Sequence, residues 1–231
     1  MVNATESLRG RRALVTGGNR GIGLEVVRLL GQLGLEVFLG SRDPDAGAVA
    51  AAALGLPGVT PVRIDVADPA SVTAARDALA PEGIDVLVNN AAINPRGQVT
   101  PEEVDRAWQV NTLGAWRVTQ AFLPPMRERG WGRIVNVSSE VATNAHEQRG
   151  GGIYATTKIA LNAMTRALAE DLAGTGILVN AISPGWCRSD MGGASAPRSA
   201  EEGAVSIVWG VMLPDDGPTG GYFQDGEPLP W

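Results

Sequence analysis

Short runs of apolar residues alternate along this chain with longer segments whose apolar positions recur at helical spacing. The first run is Ala13 to Thr16, a helical pattern follows from about Gly21 to Leu33, and a second run covers Glu36 to Leu39. The rhythm continues with Val59 to Val66, a helix opened by Asp68-Pro69, and Ile84 to Asn89. One long helix is predicted from about Pro101 to Arg129, then a strand at Arg133 to Ser138, a helix from about Tyr154 to Ala173 and a strand at Ile177 to Ile182. A shorter helical pattern near Ala200 to Met212 and a last strand at Gly221 to Gln224 complete the series. The strand runs are almost unbroken in apolar residues, as expected of parallel strands covered on both faces. Asp68 and Thr100 each precede a proline, which suits a helix cap followed by a first position whose missing N–H costs little. The alternation predicts an α/β fold, a doubly wound parallel sheet of six to seven strands with helices on both faces.

Composition narrows this picture. The 231 residues contain no repeat, low-complexity tract or linker, so one domain is expected. Thirty glycines point to tight turns and closely packed helices. A net charge of -6 argues against a nucleic-acid or anionic-membrane surface while leaving room for a local basic pocket. The single cysteine, Cys187, makes no internal disulfide, and with the single histidine, His146, gives too few soft ligands for a typical zinc site, so no metal is expected. Met1 to Arg12 lacks the apolar core of a secretory signal and no run reaches membrane-spanning length. A soluble, cytoplasmic protein is the expectation.

The first strand leads directly into TGGNRGIG, Thr16 to Gly23, and then a helix. Gly17, Gly21 and Gly23 suit positive φ and close backbone approach, and the helix N-terminus offers unpaired N–H groups to a pyrophosphate. Between first strand and first helix this is the Rossmann-type dinucleotide turn. An NAD-selective site carries an acidic residue at the end of the second strand, about twenty residues beyond the glycines. Here Ser41 takes that place and Arg42 follows, so the Arg42 guanidinium, with Arg20 from the glycine turn, is expected to meet a 2′-phosphate. NADP(H) is the predicted cofactor. Asp43 precedes Pro44 and is assigned to capping the next helix.

Three more motifs fall where strands of such a sheet end: NNAA at Asn89 to Ala92, VNVSS at Val135 to Ser139, and YATTK at Tyr154 to Lys158. On a helix, positions 154 and 158 share a face one turn apart, so the ammonium can lie beside the phenol and, with the charge of oxidised nicotinamide, lower its pKa. Together with the glycine turn these motifs resemble the short-chain dehydrogenase/reductase family over nearly the whole chain. The resemblance implies that Tyr154 is the general acid/base, that Ser139 hydrogen-bonds the reacting oxygen, that Lys158 also holds the nicotinamide ribose, and that Asn111 kinks its helix and anchors a water leading to Lys158. It also implies cofactor contacts at Gly17, Asn19, Arg20, Gly21, Ile22, Gly23, Ser41 and Arg42; at Asp65, ending the third strand, with Val66 at the adenine edge; and at Asn89 and Ala91 by the adenosine ribose. PGWCRSDM, Pro184 to Met191, resembles the segment closing over nicotinamide, with Pro184, Gly185, the Cys187 backbone and Ser189 in contact, while the Cys187 side chain is a packed one. Ala92 stands where the family usually has glycine. The dinucleotide half is expected over about 1–95 and the catalytic half over about 96–231.

The C-terminal segments PGWCRSDMGG, SAEEGA and LPDDGPTGGYFQDGEPLPW resemble the carbonyl reductase branch, which implies NADPH-dependent reduction of a small-molecule ketone or aldehyde. The connection between Ser139 and Tyr154 is short and glycine-rich at Arg149 to Gly152, without the long insertion of monomeric animal members, so a homodimer or homotetramer is expected. A short lid predicts an open site, with Trp186 and Ile93 as candidate walls. The alternatives are a dehydrogenase acting mainly in the oxidative direction, an acyl or polyketide ketoreductase, and a non-catalytic NADP(H)-sensing interaction protein.

Overall fold

In the computed structural model, which describes residues 8–80, 82–143 and 152–231, seven strands run parallel and an eighth closes the edge antiparallel. They are β1 (Arg12–Thr16), β2 (Glu36–Ser41), β3 (Val59–Arg63), β4 (Val86–Asn89), β5 (Gly132–Val137), β6 (Ile177–Ile182), β7 (Tyr222–Gln224) and β8 (Glu227–Pro228). Their order in the sheet is β3-β2-β1-β4-β5-β6-β7-β8. The described helices are α1 (Gly21–Gln32), α2 (Pro44–Leu54), α3 (Pro69–Leu79), α4 (Pro101–Asn111), α5 (Leu113–Arg129), α6 (Gly152–Asp171) and α7 (Ala200–Val211). Among the described residues no helix is long and apolar enough to cross a membrane.

The period of two along each strand sorts the core into two layers. Ala13, Val15, Val37, Leu39, Val86 and Val88 face one side, where Val26, Val27 and Leu30 of α1 and Ile207, Val208 and Val211 of α7 cover them. Leu14, Phe38, Leu87, Ile134 and Val179 face the other, against Val72 and Leu79 of α3, Val118, Phe122 and Met126 of α5, and Leu168 of α6. Fully burying such a side chain is worth roughly 1.5–3 kcal/mol, so the alternation fixes each strand's register. Chain order reverses between β1 and β4, and the carboxyl ends of these strands diverge into a cleft at that switch point.

Three expectations change. The long helix is two: α4 ends at Asn111 and α5 starts at Leu113, with Thr112 between them at φ −112° and ψ −63°, off ideal helical values, and its hydroxyl donated to Thr157 O (2.9 Å). The break beside Asn111 agrees with a kink there. The third strand stops at Arg63, short of Val66, because Asp65 closes a turn in which its Oδ1 accepts from Ala67 N at 3.0 Å. Asp65 therefore lies beyond the strand. The sheet also gains β8, folded back through Asp225 and Gly226, both at positive φ (52° and 84°), the backbone of a two-residue hairpin turn. Capping follows the expectation: Asp43 accepts from Asp45 N and Ala46 N, Asp68 from Ala70 N, and Thr100 forms a capping box with Glu103.

Candidate active site

The glycine turn carries β1 into α1 under the cleft. Gly17 and Gly21 have φ of 64° and 53°, and a Cβ on Gly23 would lie 2.3 Å from Gly17 O and 2.4 Å from Asn90 Nδ2, so no side chain fits there. Asn90 closes this turn: its amide donates to Thr16 O (2.9 Å) and Gly17 O (3.1 Å), while Thr16 Oγ1 accepts from the N–H groups of Asn90 and Ala91. The N-terminus of α1 has no side-chain cap, which leaves its first N–H groups directed at whatever occupies the cleft. Gly17, Asn19, Arg20, Gly21, Ile22 and Gly23 all line an open cavity of about 230 Å³.

At one end of the cavity Arg42, Asp65, Val66 and Ala91 line the wall. Two neighbours do not. Ser41 is buried and donates its hydroxyl to Asp43 O at 2.7 Å, tucked against Gly47 of α2, so Arg42 is the side chain presented at the end of β2. Asn89 shares a strand face with Leu87 and is directed into the core, donating to Thr119 Oγ1 (3.0 Å) and Asn136 Oδ1 (2.8 Å). Asn90, one residue on and on the opposite face, is the cleft residue. Ala92 lines the cavity too, and its φ is not positive, so its methyl is accommodated without strain.

At the other end α6 brings Tyr154 and Lys158 to the cavity wall. Lys158 is buried and donates to Val137 O at 2.6 Å, with Nζ 5.8 Å from the Tyr154 ring centre. Burial lowers the Lys158 pKa to about 7. Removal from water raises the Tyr154 pKa to about 12, against an opposing hydrogen-bonding interaction with the Ser139 hydroxyl. Desolvation is the largest cause of both shifts. Ser139 is held at its backbone, where Tyr222 of β7 donates its hydroxyl to Ser139 O. Its neighbour Ser138 is buried and spends its hydroxyl on Asn162 Oδ1 at 2.6 Å, which leaves Ser139 as the serine facing Tyr154. Asn111 does not line the cavity. Its Oδ1 accepts from Ile93 N and its Nδ2 donates to Ile93 O and Thr157 Oγ1, so both amide hydrogens are spent on docking the end of α4.

The segment after β6 covers the cleft. Pro184 and Ser189 line it, with Asp190 and Met191, two residues that the motif reasoning passed over. Gly185 sits behind the wall at a φ of 72°, where a Cβ would also meet Arg198 Cδ at 2.7 Å, so backbone conformation and packing together explain that glycine. The Cys187 side chain is buried, donates to Pro184 O at 3.2 Å and packs against Gly203, and burial raises its pKa. Trp186 is exposed and Ile93 is a wall residue. His146 and residues 149–151 lie outside the described residues. Among the described residues no cluster of three or more metal-ligating side chains occurs.

Asn90 was legible in part and Tyr222 was not. Strand parity places Asn89 with Leu87 and so assigns the cleft to Asn90, whereas nothing local in YFQ connects Tyr222 to Ser139, 83 positions away.

Comparison with known proteins agrees with this geometry. Carbonyl reductase (NADPH) 1 of Mus musculus is 34% identical over 272 aligned positions, covering 95% of this chain and 98% of that one. The aligned span exceeds the 231 residues here, so the mouse protein carries segments this chain lacks. Oxidoreductase UcpA of Escherichia coli (strain K12) is 38% identical over 207 residues, 87% of this chain and 78% of that one. The NADPH-bound carbonyl reductase from chicken fatty liver superposes with a TM-score of 0.87 at 30% identity, over 97% of this chain and 100% of that one. A family model described as short chain dehydrogenase matches residues 11–200, and the chain belongs to the short-chain dehydrogenase family.

Proposed function

We propose that the protein is an NADPH-dependent carbonyl reductase that converts a ketone or aldehyde to an alcohol, with Tyr154 as the proton donor. The observation that carries this reading is one cavity with the bare N-terminus of α1 and Arg42 along one part of its wall and Tyr154 and Lys158 along another. The donor set fits NADPH: backbone N–H groups for a pyrophosphate, and the exposed Arg42 cation for a 2′-phosphate. Bound NADPH supplies the hydride. Ser139 orients the carbonyl oxygen by donating to it, and the Tyr154 hydroxyl gives that oxygen a proton as negative charge develops. Lys158, tied to Val137 O, keeps a donor beside the phenol and can bind the ribose hydroxyls. Asn111 is a positioning residue that fixes the Ile93 wall and Thr157 of α6. A phenol raised to about 12 stays protonated near neutral pH, which supports Tyr154 as a proton donor. The carbonyl reductases among the relatives support the substrate class.

The test is turnover of a panel of ketones, aldehydes, quinones and acyl substrates with NADPH, comparing the native chain with Tyr154→Phe. Loss of about 10²- to 10⁴-fold in kcat, with NADPH still bound, is expected for removing a positioned general acid. Full turnover in Tyr154→Phe overturns the mechanism, preference for acyl substrates favours a ketoreductase, and NADPH binding without any turnover favours the sensing protein. We further propose self-association into a dimer or tetramer through the start of α5, where Leu113 and Trp116 are 42% and 39% exposed. Light scattering returning a monomer at micromolar concentration overturns it.

A further inference from the structure

The cleft is bridged by a contact between its opposite walls. Ser189, on the segment after β6, lies against Gly21, where a Cβ would be 3.6 Å from the Ser189 Cβ. One residue on, the Arg20 guanidinium donates to the Asp190 carboxylate, Nη1 to Oδ2 at 2.9 Å. Both side chains line the cavity, and at 71% and 76% exposure neither is held in place by the core. Arg96 donates to Met191 O and so tethers the same segment from another loop. The two arginines expected to converge on a 2′-phosphate therefore differ. Among the described residues no carboxylate pairs with Arg42, whereas Arg20 already holds an anion.

We infer that Asp190 is a specificity-determining residue whose carboxylate competes with the cofactor 2′-phosphate for Arg20 and so restrains the preference for NADPH over NADH. The inference rests on the NADPH reading above. A guanidinium fork binds carboxylate and phosphate through the same N–H donors, so engaging the phosphate means releasing or sharing Asp190. The phosphate carries the larger charge and wins the exchange, but an exposed ion pair must be given up first. NADH has no 2′-phosphate and leaves the pair intact.

The test is titration of the full chain with NADPH and with NADH, followed by tryptophan fluorescence, for the native protein, Asp190→Asn, Arg20→Met and the double variant. Because both positions are exposed, far-UV circular dichroism should be unchanged in each. Asp190→Asn is expected to tighten NADPH binding about two- to fivefold, the scale of one exposed ion pair, and to leave NADH unchanged. In the Arg20→Met background that gain should vanish. Unchanged or weaker NADPH binding in Asp190→Asn, equal change for both cofactors, or a gain that survives Arg20→Met overturns the inference. Failure of the NADPH reading itself is seen earlier and elsewhere: native protein that binds NADH as tightly as NADPH, with no effect of Arg42→Ala, overturns both.

Discussion

Two parts of the cleft wall are built by opposite means. The glycine-turn wall is backbone: its N–H groups are bare, its residues range from buried Gly23 to exposed Arg20, and its shape depends on side chains that are missing. The α6 wall is side chain: a lysine with its amine out of water, a phenol with a raised pKa, and a serine held by a tyrosine from the far strand. A backbone site can be spelled locally, since it needs glycines at fixed offsets. A desolvated side-chain site has to be assembled by packing, and its chemistry is set by burial that no four-residue motif encodes.

The largest expected effect tests the buried side. Lys158 titrates near 7 in the folded chain against an ordinary 10.5, so folding disfavours its charge. The folded-state pKa of this base is depressed, so the cost is complete below about pH 7, shrinks as pH rises from about 7 to 10.5, and is gone above that, where both states are neutral. Lys158→Met should raise stability by about 2 to 4 kcal/mol at pH 6, after the lost hydrogen bond to Val137 O is set against the pKa shift, while abolishing turnover. Urea unfolding at pH 6 and pH 10 checks this; an equal gain at both would mean that charge burial is not the cause.

Gly23→Ala strikes the backbone side. The new methyl would meet Gly17 O and Asn90 Nδ2 inside contact distance, so a loss of about 1–3 kcal/mol in stability is expected from overpacking, with weakened NADPH binding. Thermal unfolding and cofactor titration check both; native-like NADPH affinity would show that the turn geometry is not needed. Arg42→Ala removes one exposed cation and should cost about 1 to 2 kcal/mol of NADPH affinity, roughly 5- to 30-fold in Kd, with NADH unaffected. A parallel loss for NADH would move Arg42 away from the 2′-phosphate. The smallest effect is a control on helix ends. α7 packs beside α1 on one sheet face but carries a full capping box between Ser199 and Glu202. Ser199→Ala should lower stability by about 1 kcal/mol without changing the NADPH Kd. A change in Kd would break the distinction between a capped end and a binding end.

Much of this was legible along the chain. Strand and helix order followed from periodicity because apolar alternation and burial are the same constraint, and Asp43, Asp68 and Thr100 announced helix starts because a cap acts within three residues. Contacts made across the sheet were less legible. Ser41 and Asn89 match the family pattern at their positions, yet pleat direction and the approach of α2 and α5 turn them inward. Asn111 marked a helix break correctly, but which partners would claim its amide depended on where Ile93 and Thr157 came to rest.

The sequence by itself determined the doubly wound sheet, the glycine turn and the one-turn spacing of Tyr154 and Lys158, because each depends on neighbours a few residues away. Only the tertiary structure decided that Asn90 closes the turn, that Tyr222 holds Ser139, that Asp190 holds Arg20, and that desolvation is the largest influence on the pKa values of Tyr154 and Lys158. Those outcomes depend on which groups a folded chain places within 3 Å of each other and how much water it leaves there, and both are properties of the packed molecule.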